Sequence, residues 1–308
     1  MNSAETNGRQ PFWSIMVPAY RPKESYLRKA IESVLCQDPG PEKAQIQVVD
    51  DCSPGVDVQS MVKSIAGDRV EFFQIPQNLG LAGCWNACIE RARGQWVHIL
   101  HQDDFVLPGF YLELEKAAGE NPDVVFLAAR SLYVDEKDLI LGATARLPKL
   151  EKASHVVDDF FYSVPVQCPG VVVRRQFYET HGRFRTDLKF TLDCEMWTRA
   201  IAEGGGAVTR HVLSCYRISG ENETARLAKS GQTLRDIERL HELFSERYPG
   251  FNRAKARRKL CEFALNQAAQ FEAQGQTEAA EASKAYWKKN ASLLTRGLSL
   301  WKHRNGAD

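Results

Sequence analysis

The amino-acid sequence lacks the features of a nucleic-acid-binding or zinc-binding protein. Its 40 basic and 39 acidic residues leave a net charge of +1, whereas a protein whose main partner is nucleic acid needs a basic excess to bind phosphates. Its 8 cysteines include no Cys-x-x-Cys pair, so zinc-ribbon and thioredoxin-like sites are excluded. We expect no nucleic-acid partner, and we expect free thiols in a reducing cytosol.

Membrane-targeting and nucleotide-binding motifs are absent as well. The first ten residues are polar, without the apolar core of a signal peptide, and no apolar run reaches the ~18–20 residues of a membrane span. We therefore expect a cytoplasmic protein. No Gly-x-Gly-x-x-Gly and no Gly-x-x-x-x-Gly-Lys-Ser/Thr motif occurs, which excludes a dinucleotide-binding Rossmann site and a P-loop. A nucleotide would need another anchor for its phosphates.

The first hundred residues show an alternation of strand and helix patterns. The predicted strands are 13–18, 46–50, 70–75 and 95–100, and the predicted helices between them are 25–36, 56–65 and 80–93. This alternation predicts a mostly parallel sheet with helices on both faces. In such sheets, ligands bind at the carboxyl ends of the strands.

Two adjacent carboxylates, Asp103 and Asp104, follow the predicted strand 95–100. Side by side they repel, and each resists ionisation unless a cation is near. A hard divalent ion that carries phosphates takes oxygen ligands of this kind. Taken alone, the pair is explained equally well by a solvated turn with a helix cap. However, Asp50 and Asp51 end another strand, so polar strand ends converge at one edge of the predicted sheet.

Several motifs in the same order resemble family-2 glycosyltransferases. They are Ile15–Tyr20, Tyr26–Gln37, Val48–Pro54, Asn78–Gly94, the carboxylates at 103 and 104, and Leu192–Arg199. The resemblance covers roughly residues 12–220. It implies an α/β fold of the GT-A type, Rossmann-like, with a mostly parallel mixed sheet and helices on both faces. It also implies inverting transfer of a sugar from a nucleotide-diphosphate donor.

The resemblance also implies roles for individual residues. The nucleotide-binding set would be Pro18, Ala19, Tyr20, Asp50, Asp51, Asn78, Gly80 and Asp103. Within it, Asp51 would accept a hydrogen bond from the base and Asp50 would lie toward the ribose. Asp103 and Asp104 would hold Mn²⁺ or Mg²⁺. Asp193 would be the general base that takes the proton of the acceptor hydroxyl, with Glu195 as the competing candidate.

This chain departs from the family pattern at two positions. His101 stands where the family usually has a carboxylate, and histidine can either ligate Mn²⁺ or form a hydrogen bond. Trp85 stands where members often have an arginine, so a phosphate contact from that position is lost. Arg21 or Arg217 could supply it instead. Because His101 replaces a carboxylate, Asp104 would carry most of the metal binding.

The composition changes after about residue 225, where alanine and charged or amide residues dominate. We predict a flexible tail at 1–11, a GT-A catalytic domain at 12–225 and an all-helical extension at 226–308. The predicted helices of the extension are 233–247, 252–272 and 277–290. An apolar stripe follows from Trp287 to Trp301, flanked by basic residues. It could lie on the inner face of a membrane, dock on the catalytic domain, or form a homodimer.

These expectations combine into one functional hypothesis with one alternative. The chain would be a metal-dependent, hexosyltransferase-type enzyme that moves a sugar from a UDP-, GDP- or dTDP-linked donor. The acceptor would be a glycan or a lipid-linked glycan, in the synthesis of a surface polysaccharide. The alternative is a non-catalytic nucleotide-sugar-binding or scaffold protein that retains the fold, which the histidine at 101 keeps open.

Overall fold

The computed structural model describes residues 10–146, 157–163, 165–219 and 223–291. The chain divides into two compact units. The first comprises the described residues within Met1–Phe160, Val164–Thr186 and Glu195–Ser219, and the second comprises those within Phe161–Ser163, Asp187–Cys194 and Gly220–Asp308. The stretch that carries Asp193 therefore groups with the C-terminal helices.

The secondary structure alternates in the order expected for an α/β protein. The strands are β1 Trp13–Ala19, β2 Ala44–Asp50, β3 Glu71–Gln74, β4 Trp96–Ile99, β5 Phe105–Val106, β6 Phe126–Val134, β7 Ile140–Ala143, β8 Val171–Arg174 and β9 Gly206–Arg217. The helices are α1 Glu24–Leu35, α2 Val58–Ala66, α3 Gly80–Arg91, α4 Phe110–Glu120, α5 Val157–Tyr162, α6 Arg175–His181, α7 Leu192–Gly204, α8 Glu223–Lys229, α9 Gln232–Arg247, α10 Arg253–Ala273 and α11 Thr277–Asn290. A short 3₁₀ turn, Cys168–Gly170, precedes β8.

The strands of the first unit form one mixed sheet in the order β3-β2-β1-β4-β8-β6-β9-β5, with β7 paired to β6. The pairs β1–β2, β1–β4 and β2–β3 are parallel, so their carboxyl ends meet at one edge. Strand β8 runs antiparallel between β4 and β6, and β9 pairs with β6 in parallel. This arrangement confirms the predicted α/β class.

The core of the first unit lies around β1, which is buried along its whole length. Such a continuous apolar run is typical of a strand covered on both faces. Helix α1 buries its predicted stripe of Leu27, Ala30, Ile31 and Val34. Gly94 lies so close to this strand that a Cβ there would meet the carbonyl carbon of Trp13 at 2.4 Å. The helices thus fix β1 and its polar end in place.

The predicted elements up to residue 100 are confirmed to within about two residues at each end, as are the three C-terminal helices. For the elements between residues 105 and 181, the sequence pattern carries no prediction. No helix among the described residues is long and apolar enough to cross a membrane. Most of the apolar stripe 287–301 lies outside the described residues, so its role stays a prediction.

The second unit packs its helices around apolar and aromatic side chains. Leu234, Leu260 and Ala264 form a buried cluster that joins α9 to α10. Phe161 lies with its ring centre 5.0 Å from Phe244. Helix α10 begins at a cap in which the side chain of Asn252 accepts a hydrogen bond from the Lys255 amide at 2.9 Å.

Candidate active site

The end of β2 carries two carboxylates whose oxygens are used inside the protein. Asp50 has no exposed surface and accepts hydrogen bonds from the Ser53 amide at 3.1 Å, the Ser53 hydroxyl at 2.5 Å and the Gln74 amide at 2.9 Å. A buried carboxylate is stable only when it is bonded in this way. In this structure Asp50 therefore holds its own loop, and its place toward a ribose stays a prediction.

Asp51 fixes the start of α3. Its carboxylate accepts from the backbone N–H groups of Leu79 at 2.7 Å and Gly80 at 2.9 Å, and from the Asn78 side chain at 2.9 Å. The N–H groups of Leu79 and Gly80 are among those that have no partner within a helix at its start. Gly80 can take its φ of +71° because it has no Cβ. Burial raises the pKa of Asp51, while the two backbone bonds oppose the rise. A carboxylate has about four acceptor positions, and three of them are used here.

The end of β1 is bonded to both neighbouring loops. The backbone N–H of Tyr20 donates to Gln102 Oε1 at 2.8 Å, and Gln102 Nε2 donates to the Tyr20 carbonyl at 3.1 Å. The Arg21 N–H donates to the Ser53 hydroxyl at 2.7 Å. Pro18 and Ala19 are buried in the strand, whereas Tyr20 and Arg21 are exposed. Tyr20 and Arg21 are thus presented at the edge where β1, β2 and β4 end.

The loop between β4 and β5 holds a carboxylate with one oxygen that accepts no hydrogen bond from the described residues. Asp104 is 1% exposed, and its Oδ1 accepts a hydrogen bond from the Arg217 backbone N–H at 2.8 Å. Its Oδ2 accepts no hydrogen bond within the described part of the chain and lies 3.3 Å from Nδ1 of His101. Burial raises the pKa of Asp104 to about 6, against the lowering effect of His101.

Arg217 contacts both aspartates of this pair and bonds them to the surrounding protein. The guanidinium is buried, donates to the carbonyls of Asp103 at 2.9 Å and Asp135 at 2.8 Å, and pairs with Asp138 at 2.7 Å. It also packs over the ring of Tyr26 at 4.3 Å. Its donors are directed at protein groups, so this geometry favours a supporting role over the diphosphate contact considered above. Arg21 remains the exposed candidate for that contact.

His101, Asp103 and Asp104 form a group that fits a divalent ion. One ligand atom from each lies within 4.8 Å of the others. The unbonded Oδ2 of Asp104 would gain a partner there, which a buried carboxylate oxygen otherwise lacks at a cost. His101 and Asp103 are partly exposed, so the group reaches the surface. Two oxygen ligands and one imidazole nitrogen suit Mn²⁺ better than Mg²⁺.

The two departures from the family pattern lie in contact. The His101 ring stacks on Trp85 with ring centres 4.9 Å apart and an interplanar angle of 29°, and Phe184 meets Trp85 in a T-shaped contact with ring centres 4.9 Å apart. Burial acts to lower the pKa of His101, but Cys168 and Asp104 together raise it well above the ordinary value. The stacking on Trp85 fixes the plane of the His101 ring, whose Nδ1 lies 3.3 Å from Oδ2 of Asp104.

The two candidates for the general base lie in different surroundings. Glu195 is buried and forms a two-point ion pair with Arg199, at 2.9 Å and 2.8 Å. Arg199 in turn donates to the carbonyls of His181 and Gly182 at 2.6 Å and 2.9 Å. Asp193 is partly exposed in the first turn of α7 and belongs to the second unit. Both oxygens of Glu195 are thus bonded to Arg199.

Some residues of this region are not found by the sequence patterns. Gln102 and Ser53 bond the strand-end loops together, and their positions next to the two carboxylate pairs are the only signal that could have suggested them. Asp236 is a further example, because it lies on the buried face of α9 with Thr233, Leu240 and Phe244. A carboxylate within a helical apolar stripe is unusual enough to be noticed.

Comparison with known proteins gives concordant findings. The family model described as glycosyl transferase family 2 matches residues 14–182. The succinoglycan biosynthesis protein ExoO of Rhizobium meliloti is 32% identical over 213 residues, which cover 63% of this chain and 57% of that protein. The chain thus spans little more than half the length of this relative.

Two solved structures share the fold. S. aureus TarS 1–349 in complex with UDP aligns with a TM-score of 0.58 at 17% identity, covering 83% of this chain and 72% of TarS. TarS has also been solved in complex with UDP-GlcNAc. The mannosyltransferase PcManGT from Pyrobaculum calidifontis, in complex with GDP-Man and Mn²⁺, aligns with a TM-score of 0.58 at 15% identity, covering 96% and 81% of the two chains. The expected GT-A fold is thereby confirmed.

Proposed function

The chain belongs to glycosyl transferase family 2, and from that premise we propose that it is an inverting glycosyltransferase that uses a nucleotide-diphosphate sugar. The proposed acceptor is a glycan or a lipid-linked glycan, and the proposed process is the synthesis of a surface polysaccharide. The name of the relative ExoO supports this process, and the ligands of TarS and PcManGT support UDP- or GDP-linked donors. A dTDP-linked donor stays within the same proposal.

The observation that carries the proposal is the unbonded oxygen of Asp104 within a group that fits a divalent ion. Asp103, Asp104 and His101 would hold Mn²⁺ or Mg²⁺. The chemistry that such an ion supplies when bound is neutralisation of the charge on the leaving diphosphate. Arg217 would keep the carboxylates in place, since it bonds the backbone of Asp103 and the side chain of Asp104.

The nucleoside would lie along the ends of β1 and β2. Tyr20 is exposed there, and its position is fixed by the two hydrogen bonds to Gln102. Asp51 would use its remaining acceptor position for a base N–H. A carboxylate accepts but cannot donate, which suits uracil, thymine or guanine and excludes an unprotonated cytosine edge.

The proposed general base is Asp193. An inverting transfer is a single displacement at the anomeric carbon, in which the acceptor hydroxyl attacks from the side opposite the leaving diphosphate and gives up its proton to a carboxylate. Asp193 is partly exposed, whereas Glu195 is held by Arg199. Replacing Asp193 by Asn keeps the shape but cannot take the proton, so kcat should fall by about 10²–10⁴-fold. Donor affinity should change little.

The test combines binding and turnover on the full-length chain. Thermal shift and calorimetry with UDP-, GDP- and dTDP-sugars, each with Mn²⁺ or with EDTA, identify the donor, since a ligand of the folded state raises the midpoint. Release of the nucleotide diphosphate then measures transfer to water or to an acceptor. Binding without turnover in the intact protein would favour the non-catalytic alternative. Near-normal kcat in Asp193→Asn with loss in Glu195→Gln would move the base to Glu195.

A further inference from the structure

Asp236 accepts several hydrogen bonds from residues 189–191, the segment that precedes the proposed base in the chain. Its carboxylate is 2% exposed. It accepts from the backbone N–H groups of Lys189 at 3.1 Å, Phe190 at 2.7 Å and Thr191 at 2.7 Å, and from the Thr191 hydroxyl at 2.9 Å. All of these residues belong to the second unit, so the contacts lie within one compact body.

These bonds fix the segment from which α7 begins. The helix starts at Leu192, and the first N–H groups of a helix and of the turn before it have no partner within the helix. A negative charge at this end is also favoured by the helix dipole. The segment 189–191 is thus bonded through its backbone and does not depend on the identity of exposed side chains. Asp193 follows it directly, in the first turn of α7.

A buried carboxylate among apolar side chains costs free energy unless its oxygens are bonded. The neighbours of Asp236 on the buried face of α9 are Leu234, Leu240 and Phe244, and an apolar residue would serve packing alone. The carboxylate is instead directed at the backbone of another segment. Its position therefore serves the geometry of the segment before α7 as well as the packing of α9.

We propose that Asp236 is a positioning residue that holds Asp193 in place for proton transfer, which gives the C-terminal helices a part in the reaction. This inference rests on the proposed function, because Asp193 must be the base. A base displaced by about 1 Å can lose about 10²-fold in rate. Loss of Asp236 should therefore lower kcat and leave donor affinity unchanged.

The experiment uses the full-length chain with UDP-GlcNAc and GDP-mannose as donor probes in the presence of Mn²⁺. Hydrolysis and donor affinity are compared for wild type, Asp236→Ala, Asp236→Asn and Asp193→Asn. We expect Asp236→Ala to lower kcat by about 10–10²-fold without weakening donor binding. Asp236→Asn should lose less, because its amide oxygen can still accept from the N–H groups of Phe190 and Thr191. Full kcat in Asp236→Ala, with kcat lost in Asp193→Asn, would overturn the role proposed for Asp236. It would leave Asp193 as the proposed base.

A double variant separates positioning from general damage. If Asp236 acts only through Asp193, adding Asp236→Ala to Asp193→Asn should not slow the residual reaction further. A further loss equal to that of the single variant would contradict the proposal. Normal kcat in Asp193→Asn would instead overturn the assignment of the base, which belongs to the proposed function.

A matched control lies in the same unit. The buried Ser283 hydroxyl donates to Gln267 at 3.1 Å, and Gln267 donates to Thr233 at 3.2 Å. Ser283→Ala should lower the melting temperature while kcat stays normal. Hydrogen exchange gives a readout that needs no substrate: amides 189–191 should lose protection in Asp236→Ala, lose less in Asp236→Asn and keep it in Ser283→Ala. Unchanged protection in Asp236→Ala would refute the proposal.

Discussion

The end of β2 and the loop between β4 and β5 each carry two adjacent aspartates, but the two pairs differ in how completely their oxygens are hydrogen-bonded. At the end of β2, Asp50 and Asp51 accept hydrogen bonds from neighbouring loops and from the start of α3. In the loop between β4 and β5, Asp104 is equally buried, but one of its oxygens accepts no hydrogen bond within the described residues. Two adjacent carboxylates at one edge of a sheet can therefore differ in how completely the fold bonds them.

The difference shows which buried carboxylate oxygens the fold bonds and which one it leaves available for a ligand. A buried carboxylate with bonded oxygens contributes to the architecture, because its burial is compensated within the fold. A buried carboxylate with an unbonded oxygen lowers the stability of the ligand-free protein. Such a cost is common at functional sites, which are seldom optimised for stability. The two pairs should thus respond in opposite ways to the same Asp→Asn substitution.

The largest expected effect is on metal-dependent donor binding through Asp104. Asp104→Asn removes a charged oxygen ligand, and we expect donor affinity in Mn²⁺ to fall by at least about 10²-fold, since even the partners that orient metal ligands are worth 10–100-fold. His101→Ala should lose less. Calorimetry with the donor in Mn²⁺ and in EDTA measures both effects, and full affinity of wild type in EDTA would remove the metal from the proposal.

The next effect concerns Asp51, which accepts three hydrogen bonds as Asp50 does and is the one of the two that we propose to bind the base. Asp51→Ala should weaken nucleotide binding by about 1.5–3 kcal/mol, the range for a hydrogen bond to a charged group. It also removes the bonds at the start of α3, so the helix should lose stability. Donor titration of the folded variant below its melting temperature is the measurement.

A helix cap elsewhere in the same unit is the control for Asp51. The side chain of Asp57 accepts from the Ser60 N–H at 2.9 Å at the start of α2. Asp57→Ala should lower the melting temperature, as the loss of other N-caps does, with nucleotide affinity unchanged. Equal affinity losses in the Asp57 and Asp51 variants would show that the effect arises from helix ends and not from base recognition.

The third effect tests the architectural role of the β2 pair. Asp50→Asn places an amide N–H₂ where the Ser53 and Gln74 donors now point, and it removes the charge that they bond. We expect a loss of about 1–3 kcal/mol in the free energy of unfolding, measured by urea denaturation. An unchanged midpoint would show that the two pairs do not differ in the way proposed here.

The sequence was sufficient to predict where these pairs lie but not their different states. The alternation of apolar runs predicted β1 to β4, and the parallel-sheet rule brought their ends to one edge. The state of Asp104 depends on the Arg217 N–H, which comes from a strand far along the chain. Likewise, the bonding of Asp51 depends on the turn before α3. Local periodicity does not carry such long-range register.

The same limit applies to the base. The resemblance assigned the base to Asp193, with Glu195 as the competing candidate. The pairing of Glu195 with Arg199 at 2.8 Å comes from the fold and could not be read from the motif. Asp236 was missed for a related reason, because its partners are backbone N–H groups, and a backbone donor has no signature in the sequence. What remained unpredictable was thus the pairing of polar groups rather than their presence.

The smallest expected effect is a gain in the stability of the metal-free protein on Asp104→Asn. It is opposite in sign to the loss expected for Asp50→Asn. The pKa of Asp104 is raised from 3.8 to about 6 in the folded protein, so between these values the folded state holds more protons than the unfolded state. Stability therefore falls as pH rises through that window, and the full cost of the buried charge applies above pH 6.

Asp104→Asn removes this charge, while its amide oxygen can still accept from the Arg217 N–H. In metal-free buffer at pH 7, we expect the variant to be more stable than wild type by about 1–3 kcal/mol, because the net rise in the pKa of Asp104, with the opposing effect of His101 included, corresponds to about 1.4 kcal/mol per pH unit. The gain should shrink as pH falls from about 6 toward 4, where wild type becomes protonated. Melting temperatures across this range, in EDTA, test the sign. A variant less stable than wild type at pH 7, as expected for Asp50→Asn, would mean that Asp104 is as fully bonded as the carboxylates of β2.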